Sequence, residues 1–306
     1  MINNNNPRYK VAAIVVTYNR LKLLQEGIAA LREQTFAVDK IVIVDNGSTD
    51  GTGDWLKTQH DLTVVCQDNT GCSGGVHTGI RSVLNTDVDW LWIMDDDTIC
   101  SKDSLEKLVT TCKTLEEQKI GFIGSKCVWT DGNPHLMNLI NIKPYFQGNT
   151  PFNKFDNDGV LLTESCSFVS VLVNEKAVRE VGLPYKEFFI WNDDLEYTQR
   201  ITKAGYLGLY CPESVVLHKT ASNYRADLYT EPPTAIWKYR YGIRNDFFMA
   251  KKAKGLLFFL AWLPARICYT ILKIFVIRKD NKFKFANVVL LAGWRSIFFN
   301  PTIDRA

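Results

Sequence analysis

Several spacings that announce a common chemistry are absent from this sequence. Its eight cysteines, at 66, 72, 100, 112, 127, 166, 211 and 268, never form a Cys-x-x-Cys pair, and only four histidines are present, so a structural zinc site is excluded. Scattered cysteines of this kind read as free, mostly core thiols in a reducing compartment. No G-x-G-x-x-G fingerprint and no P-loop occur. No apolar stretch follows Met1, since the first seven residues are polar and Asn-rich; a cytoplasmic location without a secretory leader is expected. The charge is nearly balanced, at +3 over 306 residues, too little for the whole chain to bind nucleic acid, and no nucleic-acid partner is expected. No internal repeat is present. With 46% hydrophobic and 23% charged residues the composition is that of a globular protein, not a disordered, collagen-like or disulfide-framework chain.

The small net charge conceals a division. Residues 1–218 carry 20 Lys and Arg against 28 Asp and Glu, whereas residues 219–306 carry 16 against 5. An acidic body over 1–218 and a basic, aromatic tail over 219–306 are expected, the tail meeting an anionic surface.

Within the body, apolar β-branched runs alternate with segments of helical spacing. Residues 11–17 (VAAIVVT), 40–45 (KIVIVD), 62–67 and 90–95 (WLWIMD) predict buried parallel strands. Residues 21–34, 54–58, 73–84 and 104–115 predict the intervening helices. Such alternation means a doubly wound α/β sheet. Further on, 161–173, 206–210 and 215–217 read as strands, and 176–181 and 195–204 as helices. Residues 130–160 look irregular; the loop 146–158 is expected to close over a bound ligand, and Trp129, Tyr145 and Phe152 are either sugar-stacking or core aromatics.

Open α/β sheets bind ligands at the carboxyl ends of their strands. Three polar clusters fall there: Thr17-Tyr18-Asn19-Arg20, Asp45-Asn46-Gly47-Ser48 and Asp95-Asp96-Asp97. Each alone is an ordinary turn composition; their coincidence is not. In an extended chain Asp95 and Asp97 face one way and Asp96 the other. Two carboxylates so close repel unless a cation lies between them. Mg²⁺ and Mn²⁺ take oxygen ligands and bridge to phosphate oxygens, so a metal–diphosphate site is the reading, with a solvated acidic turn the plain alternative. A second acidic cluster, Trp191-Asn192-Asp193-Asp194-Leu195-Glu196-Tyr197, follows an apolar approach. One of its aspartates suits a general base, and Asp193 or Asp194 equally suits the N-cap of the following helix. His218 ends an apolar segment; alone it is a structural histidine, but beside two acidic clusters it completes a metal shell. The segment Asn69–Gly75, with Gly74 and Gly75, opens a helix whose N-terminus favours anions.

From residue 234 the character changes. Residues 255–277 are strongly apolar but interrupted by Pro264, Arg266 and Lys273, with lysines and arginines on both flanks. Charge in mid-span disfavours crossing a membrane. A helix lying in the membrane surface is the expectation, with packing on the body or on a second copy as the alternative.

Taken in order, VVTYNR, VDNGSTDGT, NTGCSGG, MDDDT, WNDDLEY and the histidine of VVLHK resemble the inverting glycosyltransferases of family 2, which have the GT-A fold, over roughly residues 10–220. The combination is most similar to bacterial galactofuranosyltransferases, then to rhamnosyltransferases. The resemblance implies a GT-A mixed sheet flanked by helices. It implies that Thr17, Tyr18 and Arg20 line the nucleotide pocket, that Asp45 contacts the uracil or ribose, that Gly74 and Gly75 let the chain pass beside the donor, and that Asp96 belongs to the donor-binding set. Asp95, Asp97 and His218 would hold Mn²⁺ or Mg²⁺. Asp194 would be the catalytic base with Asp193 beside it; Asn192, inserted between Trp191 and Asp193, leaves the choice between the two open. The aromatic–basic run 239–245 resembles the region that follows the catalytic domain. The implied reaction moves galactofuranose from UDP-galactofuranose to a glycan or lipid-linked glycan, in cell-surface polysaccharide biosynthesis on the inner face of the membrane. A rhamnosyltransferase using dTDP-rhamnose is the alternative, and a nucleotidyltransferase a further one, against which stands the lack of a basic Gly-rich loop after the first strand. A membrane-associated sugar-binding module without catalysis would not need both acidic clusters together with the histidine. A homo-oligomer is compatible with all of these.

Overall fold

The computed structural model describes residues 8–306. Strands and helices alternate from the start: β1 (Val11–Thr17), α1 (Leu21–Arg32), β2 (Lys40–Asp45), α2 (Thr52–Leu56), β3 (Leu62–Cys66), α3 (Gly71–Val83), β4 (Trp90–Asp95), the short β5 (Thr98–Cys100), α4 (Ser104–Thr114) and β6 (Ile120–Val128). A hairpin, β7 (Tyr145–Phe146) and β8 (Thr150–Pro151), and β9 (Leu161–Leu162) precede β10 (Ser170–Asn174), α5 (Glu175–Val181), α6 (Asp193–Lys203) and β11 (Leu207–His218). Three helices close the chain: α7 (Ile236–Lys254), α8 (Leu256–Ile277) and α9 (Lys282–Phe298).

The main sheet has the order β3-β2-β1-β4-β10-β6-β11-β5, with β9 on β11. Strands β1 to β4 are parallel to one another, and β10 lies antiparallel between β4 and β6. Both faces are covered, which is why the strand sequences are unbroken apolar runs. Side-chain alternation divides β1 between two cores. Val11, Ala13 and Val15 pack with Leu24, Ile28 and Leu31 of α1 and Leu105 and Leu108 of α4. Ala12, Ile14 and Val16 pack with Val76 and Ile80 of α3 and Tyr197 and Ile201 of α6. The expected mixed α/β architecture is present.

Four details depart from expectation. Residues 206–210 and 215–217 form one strand, β11, whose register shifts between Cys211 and Val215, so that Pro212 sits in a bulge. Helix α3 starts at Gly71, two residues earlier than its apolar pattern. Helix α6 starts at Asp193, and its N-cap is Asn192, neither Asp193 nor Asp194. The loop 146–158 does not lie over the strand ends. Phe146 and Phe155 are buried in the core under α4, and Gln147 Nε2 donates to the Thr202 carbonyl. Thr202 is nine residues along α6 from Asp193, about 14 Å at the helical rise.

The C-terminal helices share their own apolar centre, in which Tyr239 of α7, Ile274 of α8 and Phe285 and Val289 of α9 meet. Helix α8 continues through Pro264. Among the described residues it is the single helix long and apolar enough to cross a membrane by length and composition.

Candidate active site

Strand register brings the polar clusters together. Thr17 lies opposite Asp45, and Val16 opposite Asp95, so the ends of β1, β2 and β4 are flush. The chain turns at Asp96 and Asp97 into β5, whose first residue, Thr98, pairs with His218 at the end of β11. Two remote segments thereby deliver one site: Asp95, Asp97 and His218 present ligand atoms all within 4.8 Å of one another.

The three consecutive aspartates have different partners. Asp95 accepts a hydrogen bond from the Cys72 thiol at 3.6 Å. Asp96, buried, accepts from the Thr17 hydroxyl at 2.8 Å and from Arg20 at 3.2 Å. Asp97 accepts from Arg20 at 2.6 Å and meets His218 Nε2 at 3.3 Å, without the alignment of a hydrogen bond. Burial raises the Asp95 carboxyl, and Asp97 adds to the effect. Burial pushes Asp96 up to about 7 against the pull of Arg20. For Asp97, burial is outweighed by His218 and Arg20, and its carboxyl is held below the usual value.

The second acidic pair is placed by α6. The backbone just before the helix carries positive φ at Phe189, Trp191 and Asn192 (67°, 66° and 67°). Asp193 is buried, and Asp194 accepts from the Leu195 N–H at 2.7 Å. Burial raises Asp193 to about 6, and burial together with the charge of Asp193 raises Asp194 to about 7; Asp95 contributes to both, which puts the two acidic clusters in one electrostatic neighbourhood. Three buried side-chain oxygens of this place, Ser73 Oγ, Asp97 Oδ1 and Asp193 Oδ2, make no well-aligned hydrogen bond, although Ser73 lies beside Asp193 and His218 beside Asp97. Buried oxygens with poorly aligned partners are compatible with a bound ligand or ion.

The remaining expected residues surround the pair. Tyr18 is exposed at the β1–α1 turn. Asp45 is buried and accepts from the Ser48 N–H at 2.9 Å. Gly74 and Gly75 are buried in the first turn of α3. Trp129 donates from Nε1 to the Thr220 carbonyl, and Tyr145 is exposed on the hairpin. Sequence reasoning missed a set of polar residues that support the site. Asn138 and His135 contact His218. Asn245 of α7, fully buried, donates to the carbonyls of Phe188, Ile190 and Trp191. No spacing signals such residues; Asn245 sits in an aromatic–basic helix and Asn138 in an irregular stretch.

A mostly parallel sheet with paired carboxylates and an imidazole at its carboxyl edge defines a class, the α/β enzymes of the GT-A fold. The mannosyltransferase PcManGT of Pyrobaculum calidifontis, solved with GDP-Man and Mn²⁺, superimposes with a TM-score of 0.53 at 18% identity, covering 96% of this chain and 88% of that one. The family follows from the sequence: the model of glycosyl transferase family 2 matches residues 12–170, more than half of the chain. The chain belongs to that family and is a glycosyltransferase. The O-antigen chain rhamnosyltransferase RfbN of Salmonella typhimurium is 23% identical over 68% of this chain and 66% of its own length. The galactofuranosyltransferase GlfT1 of Mycobacterium tuberculosis is 24% identical over 70% of this chain and 71% of its own length.

Proposed function

We propose that this chain is a divalent-metal-dependent, inverting hexosyltransferase that moves galactofuranose from UDP-galactofuranose to a glycan or lipid-linked glycan. The observation that carries the reading is the meeting of Asp95, Asp97 and His218 beside the buried pair Asp193–Asp194. Two carboxylates and one imidazole within 4.8 Å fit a Mn²⁺ or Mg²⁺ ion, and the unpartnered Asp97 Oδ1 is a vacant donor in that set. When bound, the ion supplies Lewis-acid neutralisation of the nucleoside diphosphate leaving group. Thr17, Tyr18, Arg20 and Asp45 bind the nucleotide in this reading. Asp96 holds Thr17 and Arg20 in place, and Gly74 and Gly75 let the donor-side end of α3 pack closely on Thr70 and Val16. Asp194 accepts the proton of the acceptor hydroxyl as that oxygen attacks the anomeric carbon from the face opposite the diphosphate. One displacement inverts the centre. A carboxylate raised to about 7 is both ionised and basic near neutral pH, which suits a general base.

The donor sugar rests on the motif combination and on the likeness to GlfT1; the likeness to RfbN favours dTDP-rhamnose as the second reading. Residues 1–218 form the catalytic body in this proposal and 219–306 a helical region that rests on the inner face of the membrane. Leu257, Val276 and Phe283, each about four-fifths exposed, support that region's role, with a second copy of the chain as the rival occupant.

The test is turnover. Purified protein with Mn²⁺ or Mg²⁺ receives UDP-galactofuranose, UDP-galactopyranose, UDP-glucose or dTDP-rhamnose, with and without a membrane lipid extract, and nucleoside diphosphate release is followed. Extract-stimulated release from UDP-galactofuranose, abolished by chelator and by Asp97→Ala, is expected. Turnover of dTDP-rhamnose alone moves the enzyme to the rhamnosyl group. Asp194→Asn is expected to lower turnover by roughly 100-fold or more with nucleotide binding intact; retained turnover transfers the base role to Asp193.

A further inference from the structure

His218 is held by a shell of its own. Its Nδ1 lies 2.8 Å from Asn138 Oδ1. The far end of the same amide is held as well, Asn138 Nδ2 donating to Ser167 Oγ at 2.9 Å. An amide oxygen only accepts, so His218 Nδ1 carries the hydrogen. The other ring nitrogen, Nε2, faces Asp97 at 3.3 Å and is the one left for a cation.

The flat side of the ring is covered as well. His135, fully buried, packs on His218 with ring centroids 4.3 Å apart and planes at 35°. Its Nδ1 accepts from the Met137 N–H at 3.2 Å, so its Nε2 is the N–H that meets Thr220 Oγ1 at 2.8 Å. Both of its nitrogens are engaged, and His135 is a wall, not a further ligand. The segment bearing these residues is fastened to the chain after β11. Trp129 donates to the Thr220 carbonyl at 2.9 Å, the Leu136 N–H to Asn223 Oδ1 at 2.8 Å, and Asn223 Nδ2 to the Pro134 carbonyl at 3.1 Å. An irregular stretch of sequence thus becomes a fixed bracket around one imidazole.

We propose that Asn138 is a positioning residue: it fixes the tautomer and aim of His218 so that Nε2 is presented to a divalent ion, and it thereby biases the site toward Mn²⁺ over Mg²⁺. The inference rests on the reading that Asp95, Asp97 and His218 hold the ion. Its physical basis is general. A ligating histidine is oriented by the partner of its other nitrogen, and loss of that partner typically weakens metal binding 10- to 100-fold. An imidazole nitrogen is a good ligand for Mn²⁺, whereas Mg²⁺ favours oxygen, so losing the aim of Nε2 penalises Mn²⁺ more.

The experiment needs no sugar donor. Binding of Mn²⁺ to the full chain is titrated by electron paramagnetic resonance, with Mg²⁺ as competitor, for the wild type and for Asn138→Ala, Asn138→Asp, Ser167→Ala and His218→Ala. Asn138→Ala is expected to weaken Mn²⁺ binding about 10-fold or more and Mg²⁺ binding less than about threefold. Asn138→Asp keeps an acceptor oxygen at the same place and is expected to restore Mn²⁺ affinity to within about threefold of wild type. Ser167→Ala releases the amide without touching the histidine, and an intermediate loss is expected. Circular dichroism checks folding of each variant. If His218→Ala weakens Mn²⁺ binding while Asn138→Ala and Ser167→Ala leave it unchanged, the inference is overturned and the metal site stands. If the wild type does not bind Mn²⁺, or His218→Ala has no effect, the metal-site reading fails and the inference with it.

Discussion

Gly71 shows how much a single position of the glycine-containing segment is fixed by the protein itself. Its φ is +76°, and a Cβ there would lie 2.0 Å from the Phe189 carbonyl oxygen. The same carbonyl accepts the Ser73 N–H at 3.2 Å. At Gly75 a Cβ would stand 2.3 Å from Val16 Cγ1. The sequence suggested glycines making room for a ligand; at these two positions the room is taken by neighbouring protein. Gly71→Ala combines left-handed backbone with a backbone clash, and a loss of about 3 kcal/mol is expected, read as a lowered denaturation midpoint. The acidic residues make a second prediction at this scale. Asp193 at about 6 and Asp96 and Asp194 at about 7 lie above the ordinary carboxyl value of 3.8. Between pH 4 and 7 the folded state therefore binds more protons than the unfolded one, and ion-free stability falls as pH rises through that window. A cation at Asp95, Asp97 and His218 offsets the repulsion from the neighbouring Asp96, Asp193 and Asp194 only where those carboxylates are ionised. Added Mn²⁺ should raise the melting temperature more at pH 7.5 than at pH 5; equal shifts at both would count against a metal held by this cluster. The strand-end residues were legible because each follows an unbroken apolar run. Asn138 and Ser167 were not, because a lone polar side chain in an irregular stretch carries no period.

At the scale of elements, the base-bearing pair depends on a turn that the sequence does not announce. Phe189, Trp191 and Asn192 all have positive φ, which costs free energy at non-glycine residues. The turn persists because α7 holds it. Asn245 donates to the carbonyls of Phe188, Ile190 and Trp191 at 3.0, 3.2 and 2.9 Å. Arg244 donates to the carbonyls of Glu187 and Phe188, and Asn192 Nδ2 to Asp246 Oδ1 at 2.9 Å. The extra Asn192 of the W-N-D-D motif is thus the link between α6 and α7. Asn245→Ala removes the donor to the Ile190 and Trp191 carbonyls, and a loss of about 2–4 kcal/mol is expected, by chemical denaturation. It should also lower turnover while Mn²⁺ binding at Asp95, Asp97 and His218 persists, since none of those residues touches the turn. Unchanged turnover would show that the turn does not aim Asp193 and Asp194. Helix and strand bodies were readable from their periods, but their ends were not. The apolar pattern of α6 begins at Leu195, two residues after the helix, and Pro212 disguised β11 as two strands because a bulge absorbs it.

For the whole molecule, the charge division and the apolar surface fall on the same region. Leu257 and Val276 of α8 are 86% and 82% exposed, and Phe283, Trp294 and Phe298 of α9 are 79%, 63% and 69% exposed. A folded protein seldom leaves so many large side chains in water on adjacent helices. Lys254, Lys279, Lys282 and Lys284 lie at the ends of these helices, whereas Lys251 and Lys252 are engaged by backbone carbonyls and by Glu196. Apolar side chains with cations at their margins match an anionic bilayer surface, where each nearby Lys or Arg contributes about 1 kcal/mol. Arg266 and Lys273 within α8 oppose its crossing the bilayer, since a charge at mid-span costs about 3 kcal/mol or more. The protein should therefore float with vesicles containing phosphatidylserine, be released by high salt in part, and bind neutral vesicles much more weakly. Replacing both Leu257 and Val276 with Asp should abolish flotation and leave the melting temperature within a few degrees, because neither side chain is buried. If instead the protein ignores anionic vesicles but sediments as a dimer that this double substitution dissociates, a second copy covers the face. Extraction by detergent alone, with no response to salt, would mean that α8 spans the bilayer despite its charges.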